Sequence, residues 1–157
     1  MIATPRVYLE TLGCEKNLVD SQAAMGLLLE RGFRAAERPE EAELVVLNTC
    51  GFLTAARDES MDRIRELAAL KGDAKFVVMG CFVQGQTHPI KTLVPQVDHV
   101  LGVGQYDELA GLFRAGQRDT VLARPEEAPY AGYGVRALGK RRHVAHIKIA
   151  EGCNQSR

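Results

Sequence analysis

The sequence lacks an excess of charge of either sign, an apolar signal core and a long hydrophobic run. Its 157 residues contain 20 basic and 20 acidic side chains, so the formal net charge is zero. A neutral chain carries no strong signal for nucleic acid or an anionic membrane as a partner. The start, MIATPRVYLETLG, contains no signal core, and no apolar run approaches the roughly 18 residues of a membrane helix. We therefore expect a cytoplasmic protein without a membrane partner.

Cysteine is also scarce, and the four cysteines are far apart in the sequence: Cys14, Cys50, Cys81 and Cys153. A reducing cytoplasm argues against disulfides, and the chain is long enough to bury a sizeable core without them. Such thiols are core residues, nucleophiles or metal ligands.

Apolar runs alternate with helix-like segments over the first 115 residues. Four mostly β-branched runs predict buried strands, and a weaker one predicts a fifth: RVYLETL, ELVVLNT, KFVVMG, HVLGV and FRAAER. This alternation predicts right-handed crossovers and therefore a doubly wound α/β fold with about five mainly parallel strands. Residues 1–115 are expected to form this domain.

Helical periodicity predicts which side chains of the first two helices face the core. The expected residues are Leu18, Met25, Leu28 and Leu29 in the first helix and Met61, Ile64, Leu67 and Ala68 in the second. Two prolines in QTHPIKTLVPQ limit the third helical segment to a short or broken helix.

The alternation of apolar runs and helix-like segments is absent from residue 116 to residue 143. Two of the six prolines lie in this segment, and its composition predicts a linker. The following VAHIKIAEGC predicts a single strand. One strand cannot form a domain, so residues 144–157 are expected to be the first strand of a truncated one.

Three of the four cysteines follow predicted strands, in YLETLGC, VVLNTC and FVVMGC. The carboxyl ends of parallel strands meet at one edge of the sheet, which is where such folds bind ligands. Cys14, Cys50 and Cys81 are therefore expected to converge. Each taken alone could equally be a small buried hydrophobic residue.

Several chemistries remain open for three converging thiols. Zinc sites usually use close pairs such as Cys-x2-Cys, and this sequence has none. An iron–sulfur cluster accepts thiolates from separate loops, and three ligands would leave one iron of a four-iron cluster without a protein thiolate. A nucleophilic cysteine requires a nearby histidine base, and all four histidines lie outside the three motifs.

The segments LGCEKNLVDSQ, VVLNTCGF and VMGC resemble the three motifs of the N-terminal domain of the methylthiotransferases, and IKIAEGCN resembles the start of their radical S-adenosylmethionine domain. Glu-Lys-Asn after Cys14 and Gly-Phe after Cys50 resemble the RimO-like branch, which modifies an aspartate of a small-subunit ribosomal protein. The MiaB-like branch, which modifies tRNA, and a non-catalytic iron–sulfur module are the alternatives.

The resemblance implies that Cys14, Cys50 and Cys81 hold an auxiliary [4Fe–4S] cluster that delivers sulfur. In the complete enzyme a second [4Fe–4S] cluster cleaves S-adenosylmethionine, and Cys153 matches the first of its three ligands. Arg157 stands where the second is expected, and a guanidinium cannot ligate iron. We therefore expect an incomplete chain that is inactive alone, with no catalytic residue of its own.

Four polar residues close to the cysteines have two interpretations each. Asn17 is expected to cap the first helix and Asp20 to favour its positive end. Alternatively, they donate or accept hydrogen bonds at the cluster or its thiolates. The same two interpretations apply to Asn48 and Thr49, which precede Cys50.

Overall fold

The structure is a computed structural model that describes residues 4–85, 89–114, 120–121, 134–138 and 144–149. Its sheet contains β1 (Arg6–Thr11), β2 (Arg34–Ala35), β3 (Leu44–Thr49), β4 (Lys75–Gly80), β5 (His99–Leu101) and β6 (Thr120–Val121). The strand order is β2-β1-β3-β4-β5-β6, and each neighbouring pair is parallel. The predicted doubly wound α/β fold is confirmed.

Helices cover both faces of the sheet: α1 (Glu15–Glu30), α2 (Thr54–Leu70), α3 (Cys81–Gly85), α4 (Pro89–Leu93) and α5 (Leu109–Arg114). Every residue of β3 is buried, and its side chains alternate between the two faces. Val45 and Leu47 pack in the core that contains α2 and α4, whereas Leu44 and Val46 pack in the core that contains α1 and α5. Burial on both faces explains why residues 44–47 of β3 form an uninterrupted apolar run in the sequence.

Helix α1 buries more small and polar residues than its large apolar residues predict. Of the four expected core residues, Leu28 is fully buried and Met25 packs against the same core, but Leu29 is 41% exposed. The face that is buried consists mainly of small and polar residues: Asn17, Val19, Asp20, Ser21, Ala23, Ala24 and Gly26. In α2 the prediction is better, because Ile64 and Leu67 are buried and Met61 and Ala68 pack against the same core.

The structure differs from the sequence prediction at two places after residue 115. The sixth strand, β6, lies within the segment predicted to be a linker and pairs with β5. Residues 144–149, predicted to be a strand, lie outside any helix or strand. A strand is defined by hydrogen bonds to a neighbouring strand, and apolar alternation alone does not supply that neighbour.

The order of the strands reverses between β1 and β3, since β2 lies on one side of β1 and β3 to β6 lie on the other. In doubly wound sheets, ligands bind outside the carboxyl ends of the strands at such a reversal. Among the described helices, none is both long and apolar enough to cross a lipid bilayer.

Candidate metal centre

The three predicted cysteines lie at the carboxyl edge of the sheet, at the reversal of strand order. Cys50 directly follows β3, Cys81 directly follows β4, and Cys14 lies between β1 and α1. Cys14 and Cys81 are exposed and Cys50 is buried. Thiols from three separate strand ends therefore face one region, two of them at the surface. Cys153 lies outside the described residues.

Two glycines let the three cysteine segments approach one another. A Cβ atom at Gly13 would lie 2.6 Å from Cys50 Cβ and 2.8 Å from its sulfur. A Cβ atom at Gly51 would lie 2.6 Å from Phe82 Cα and 3.2 Å from the carbonyl carbon of Cys81. Any side chain at either position would push the segments apart, so glycine is required for this convergence.

The electrostatics of the site reflect the closeness of the three thiols. The pKa of Cys81 is raised, first by removal of the sulfur from water and then by the negative charges of Cys14, Cys50 and Asp20, while Lys16 acts in the opposite direction. Although Cys81 as a residue is exposed, its sulfur is sufficiently surrounded for desolvation to be the largest cause. Without a bound cation, the site therefore disfavours the thiolate form of Cys81.

Asn17 connects the three segments through its side chain. Its Nδ2 donates to the carbonyl oxygens of Leu12, at 2.8 Å, and Thr49, at 3.0 Å. Its Oδ1 accepts a contact of 3.7 Å from the sulfur of Cys81. The prediction that Asn17 caps α1 is wrong, because the helix begins at Glu15 and its N-cap residue is Cys14. Asn17 instead holds the ends of β1 and β3 beside Cys81.

Asn48 and Thr49 fasten the end of β3 to its neighbours. Asn48 Nδ2 donates to the carbonyl oxygen of Asn17, at 2.9 Å, and to Ser21 Oγ, at 3.0 Å. Thr49 Oγ1 donates to the carbonyl oxygen of Met79 at 2.6 Å. Both side chains are buried and neither makes a described contact with a cysteine sulfur, so they position the backbone that carries Cys50.

Ser60 is a site residue that the sequence interpretation missed. Its hydroxyl donates to the carbonyl oxygen of Cys50, at 2.9 Å, and accepts from the Cys50 N–H, at 3.2 Å. Nothing in the pattern of α2 distinguishes this serine from a solvent-facing one. The glycines had a readable signal, since each of the three cysteines adjoins a glycine in the sequence, as Gly13, Gly51 and Gly80.

Asp20 lies on the buried face of α1, beyond the first turn that was expected to place it at the positive helix end. Its Oδ1 forms an ion pair of 2.7 Å with Lys148 Nζ, and the two side chains are 5% and 1% exposed. The charge of Asp20 also acts on Cys81. Asp20 therefore links the C-terminal part of the described chain to the cysteine edge.

Across the described ranges, no group of three His, Cys, Asp or Glu side chains is arranged to hold a metal ion. The donors that do converge are thiols, the preferred ligands of soft metals and iron–sulfur clusters.

Comparison with known proteins identifies the family. Residues 6–102 match the profile described as "Uncharacterized protein family UPF0004". The chain belongs to the UPF0004 family. The match covers more than half of the sequence and includes Cys14, Cys50 and Cys81.

Curated relatives share the similarity over almost all of this chain. The protein named "Ribosomal protein uS12 methylthiotransferase RimO" from Anaeromyxobacter sp. (strain Fw109-5) is 39% identical over 99% of the chain and 34% of its own length. Proteins of the same name from Protochlamydia amoebophila (strain UWE25) and Clostridioides difficile (strain 630) are 40% and 33% identical, over 92% and 96% of the chain. They are covered over 31% and 35% of their own lengths.

These relatives confirm the resemblance to the methylthiotransferases that the three motifs indicated. The UPF0004 chain described here spans about a third of the length of the curated relatives that it matches.

Proposed function

We propose that this chain is the auxiliary cluster-binding domain of a RimO-like methylthiotransferase and that Cys14, Cys50 and Cys81 hold one [4Fe–4S] cluster. The complete enzyme, in the cytoplasm, would use S-adenosylmethionine and a second [4Fe–4S] cluster that includes Cys153. Its substrate would be an aspartate of the small-subunit ribosomal protein uS12, the protein named in its relatives. One observation carries the proposal: three thiols from separate strand ends share the ligand-binding edge of the sheet.

The residues present fit such a cluster in their chemistry and in the space around them. Each thiolate of a cluster binds a different iron, so the three sulfurs need not surround one ion. Two of the three cysteine residues are exposed at the edge, and the glycines beside the cysteines keep this region free of further side chains. The raised pKa of Cys81 is consistent with a site whose thiolates need a bound cation to balance their charge.

When bound, the cluster would supply the sulfur for transfer, and three protein thiolates would leave one of its four irons open to an exogenous ligand. The chain's own contribution is to hold the ligands in place. Asn17 fixes the ends of β1 and β3 and contacts the sulfur of Cys81, and Ser60 holds both backbone polar groups of Cys50. We place substrate binding and radical generation in the parts of the complete enzyme that this chain does not span.

The test is anaerobic reconstitution with iron and sulfide, followed by iron and labile-sulfide assays and visible absorbance. Cys14→Ala, Cys50→Ala and Cys81→Ala should each lose most of the bound iron. Cys153→Ala is the control, because it removes a thiol that is not one of the three proposed ligands, and it should retain the iron of the parent. Parent-like iron content in Cys50→Ala, or no iron in the parent, would overturn the assignment.

Activity provides a second measurement. The reconstituted chain, incubated with S-adenosylmethionine, a strong reductant and the ribosomal protein, should yield neither 5′-deoxyadenosine nor an added methylthio mass. Radical generation requires a cluster held by three thiolates, and of that set this chain contains only Cys153. Either product above background would contradict the proposal that this chain alone is inactive.

A further inference from the structure

A segment after the sheet lies along α1 and contacts it through its polar side chains. We define the strap as residues 134–138 and 144–149. Within the strap, Ile147 and Ile149 are 82% and 91% exposed, whereas His146 and Lys148 turn toward α1. This is the reverse of the usual arrangement, in which apolar residues face the protein. Specific polar contacts, rather than apolar burial, therefore hold residues 144–149 in place.

The most buried of these contacts is the ion pair between Asp20 and Lys148. Its atoms are 2.7 Å apart, and both side chains are almost completely removed from solvent. Two further contacts flank it, since His146 Nε2 lies 3.2 Å from Glu15 Oε2, and Arg136 donates to Gln22 Oε1 and to the carbonyl oxygen of His146. A buried charge is tolerated only when it is paired, so Asp20 and Lys148 require each other.

Gly26 forms a separate point of contact between α1 and the strap. A Cβ atom at this position would lie 1.9 Å from the carbonyl oxygen of Val135 and 2.8 Å from its carbonyl carbon. One helical turn earlier, the carbonyl oxygen of Gln22 accepts from the N–H of Ala137 at 3.0 Å. The backbone of the strap thus lies directly against the backbone of α1, which only glycine permits.

We propose that the Asp20–Lys148 ion pair is a latch that fastens the strap to α1 and sets the point, beside the three-cysteine edge, from which the chain continues to Cys153. Asp20 lies six residues after Cys14 on the same helix, and Asn17 and Ser21 around it hold the ends of β1 and β3. The latch therefore joins the strap to the helix that builds the cysteine site. Its relevance to catalysis rests on the proposed function, whereas the latch itself does not.

Acylation of lysine amines in the full apo chain, read by mass spectrometry, tests the latch without any cluster. Lys148 should react at least tenfold more slowly than the exposed Lys16. Asp20→Asn should raise the rate at Lys148 at least tenfold. Asp62→Asn is the matched control, because it removes an exposed ion pair with Arg65 on α2, and it should leave that rate unchanged. Comparable rates at Lys148 and Lys16 in the parent would overturn the proposal.

Gly26→Ala provides a second variant that does not remove a buried charge. Alanine favours a helix more than glycine does, so without a docked strap this change would stabilise α1 and leave Lys148 unaffected. With the strap docked, the new methyl group displaces Val135, and labelling of Lys148 should rise at least tenfold while the unfolding transition stays cooperative. Gly111→Ala, in α5 with open space at its Cβ position, is the matched control and should leave the labelling rate of Lys148 unchanged. A stabilised Gly26→Ala variant with a protected Lys148 would refute the docked strap.

Both experiments use the apo chain, so they can fail while iron binding by the three cysteines succeeds, and the reverse also holds. A loss of the latch and a loss of the proposed function are therefore distinguishable.

Discussion

The two edges of the parallel sheet differ in the polar side chains that they use. At the carboxyl edge, where the cysteines lie, the polar side chains are buried and bonded to backbone groups of other segments, as Asn17, Asn48, Thr49 and Ser60 illustrate. At the amino edge, charged side chains take over this role: Lys71 and Asp98 form a largely buried ion pair, whereas the pairs around Glu41 are more exposed. Arg6 lies 4.0 Å from Glu41, which also pairs with Arg38 at 2.6 Å.

The two kinds of polar contact differ in how firmly they hold the chain segments that they join. Exposed ion pairs contribute little to stability and allow the side chains to rearrange, so the part of the amino edge around Glu41 tolerates change. Buried hydrogen bonds to backbone carbonyls leave unsatisfied groups when they are removed. The carboxyl edge therefore holds three chain segments in one arrangement, which is a requirement for ligands that come from three places in the sequence.

Gly13→Ala should have the largest effect of the changes that distinguish the two edges. Gly13 has a φ of 92°, and the added Cβ would overlap Cys50. Left-handed backbone strain of about 1–2 kcal/mol adds to overpacking of about 1–3 kcal/mol, so the free energy of unfolding should fall by about 2–5 kcal/mol. Urea unfolding of the apo chain measures this, and iron uptake should fall in parallel.

Gly32→Ala is the matched control for Gly13→Ala. Gly32 ends α1 with a φ of 88°, but nothing lies within 4 Å of its Cβ position. Only the backbone strain remains, so the loss should be about 1–2 kcal/mol with normal iron uptake. Equal losses for the two variants would mean that contact with Cys50 contributes nothing.

Asn17→Ala is expected to have the next largest effect. It leaves the carbonyl oxygens of Leu12 and Thr49 without this donor and should cost about 2–3 kcal/mol of the free energy of unfolding. Asn17→Asp keeps the shape but puts an acceptor beside both carbonyls, so it should destabilise the chain at least as much. Arg38→Ala, at the amino edge, should be indistinguishable from the parent. A parent-like Asn17→Asp variant would show that the two donated bonds do not matter.

The sequence predicts the sheet well because burial on both faces leaves a direct signature. Residues 44–47 of β3 and 76–79 of β4 are all apolar, and parallel pairing follows from such runs. The convergence of the three cysteine segments was also predictable, because parallel strand ends meet at one edge. Those expectations needed only the position of each residue relative to a strand.

The polar face of α1 could not be predicted in the same way. Periodicity assigns Leu18 and Leu29 to the core, but the helix buries Asp20 and Ser21 because their partners come from residues far away in the sequence. The partner of Asp20 is Lys148, and no local pattern connects positions 128 residues apart. Hydrogen-bond partners depend on tertiary placement. For Asn17, sequence reasoning therefore offered a helix cap, which is wrong, beside a hydrogen bond at the thiolates, and it predicted no contact for Ser60.

The smallest expected effect is on the ionisation of Cys81, which tests the carboxyl edge at a single sulfur atom. Its pKa is raised from 9.0, first by desolvation and then by the charges of Cys14 and Cys50. The thiolate is the reactive form, so alkylation of Cys81 in the apo chain should reach its half-maximal rate at a higher pH than an unperturbed thiol. Since a raised pKa favours the protonated native state, its stabilising contribution is complete below pH 9.0 and is lost as the pH rises through the higher native value. Cys14→Ala should lower the pKa of Cys81 only in part, because desolvation is the larger cause. If alkylation of Cys81 in the parent had the same pH profile as that of a free thiol, this would contradict the close placement of the three thiols.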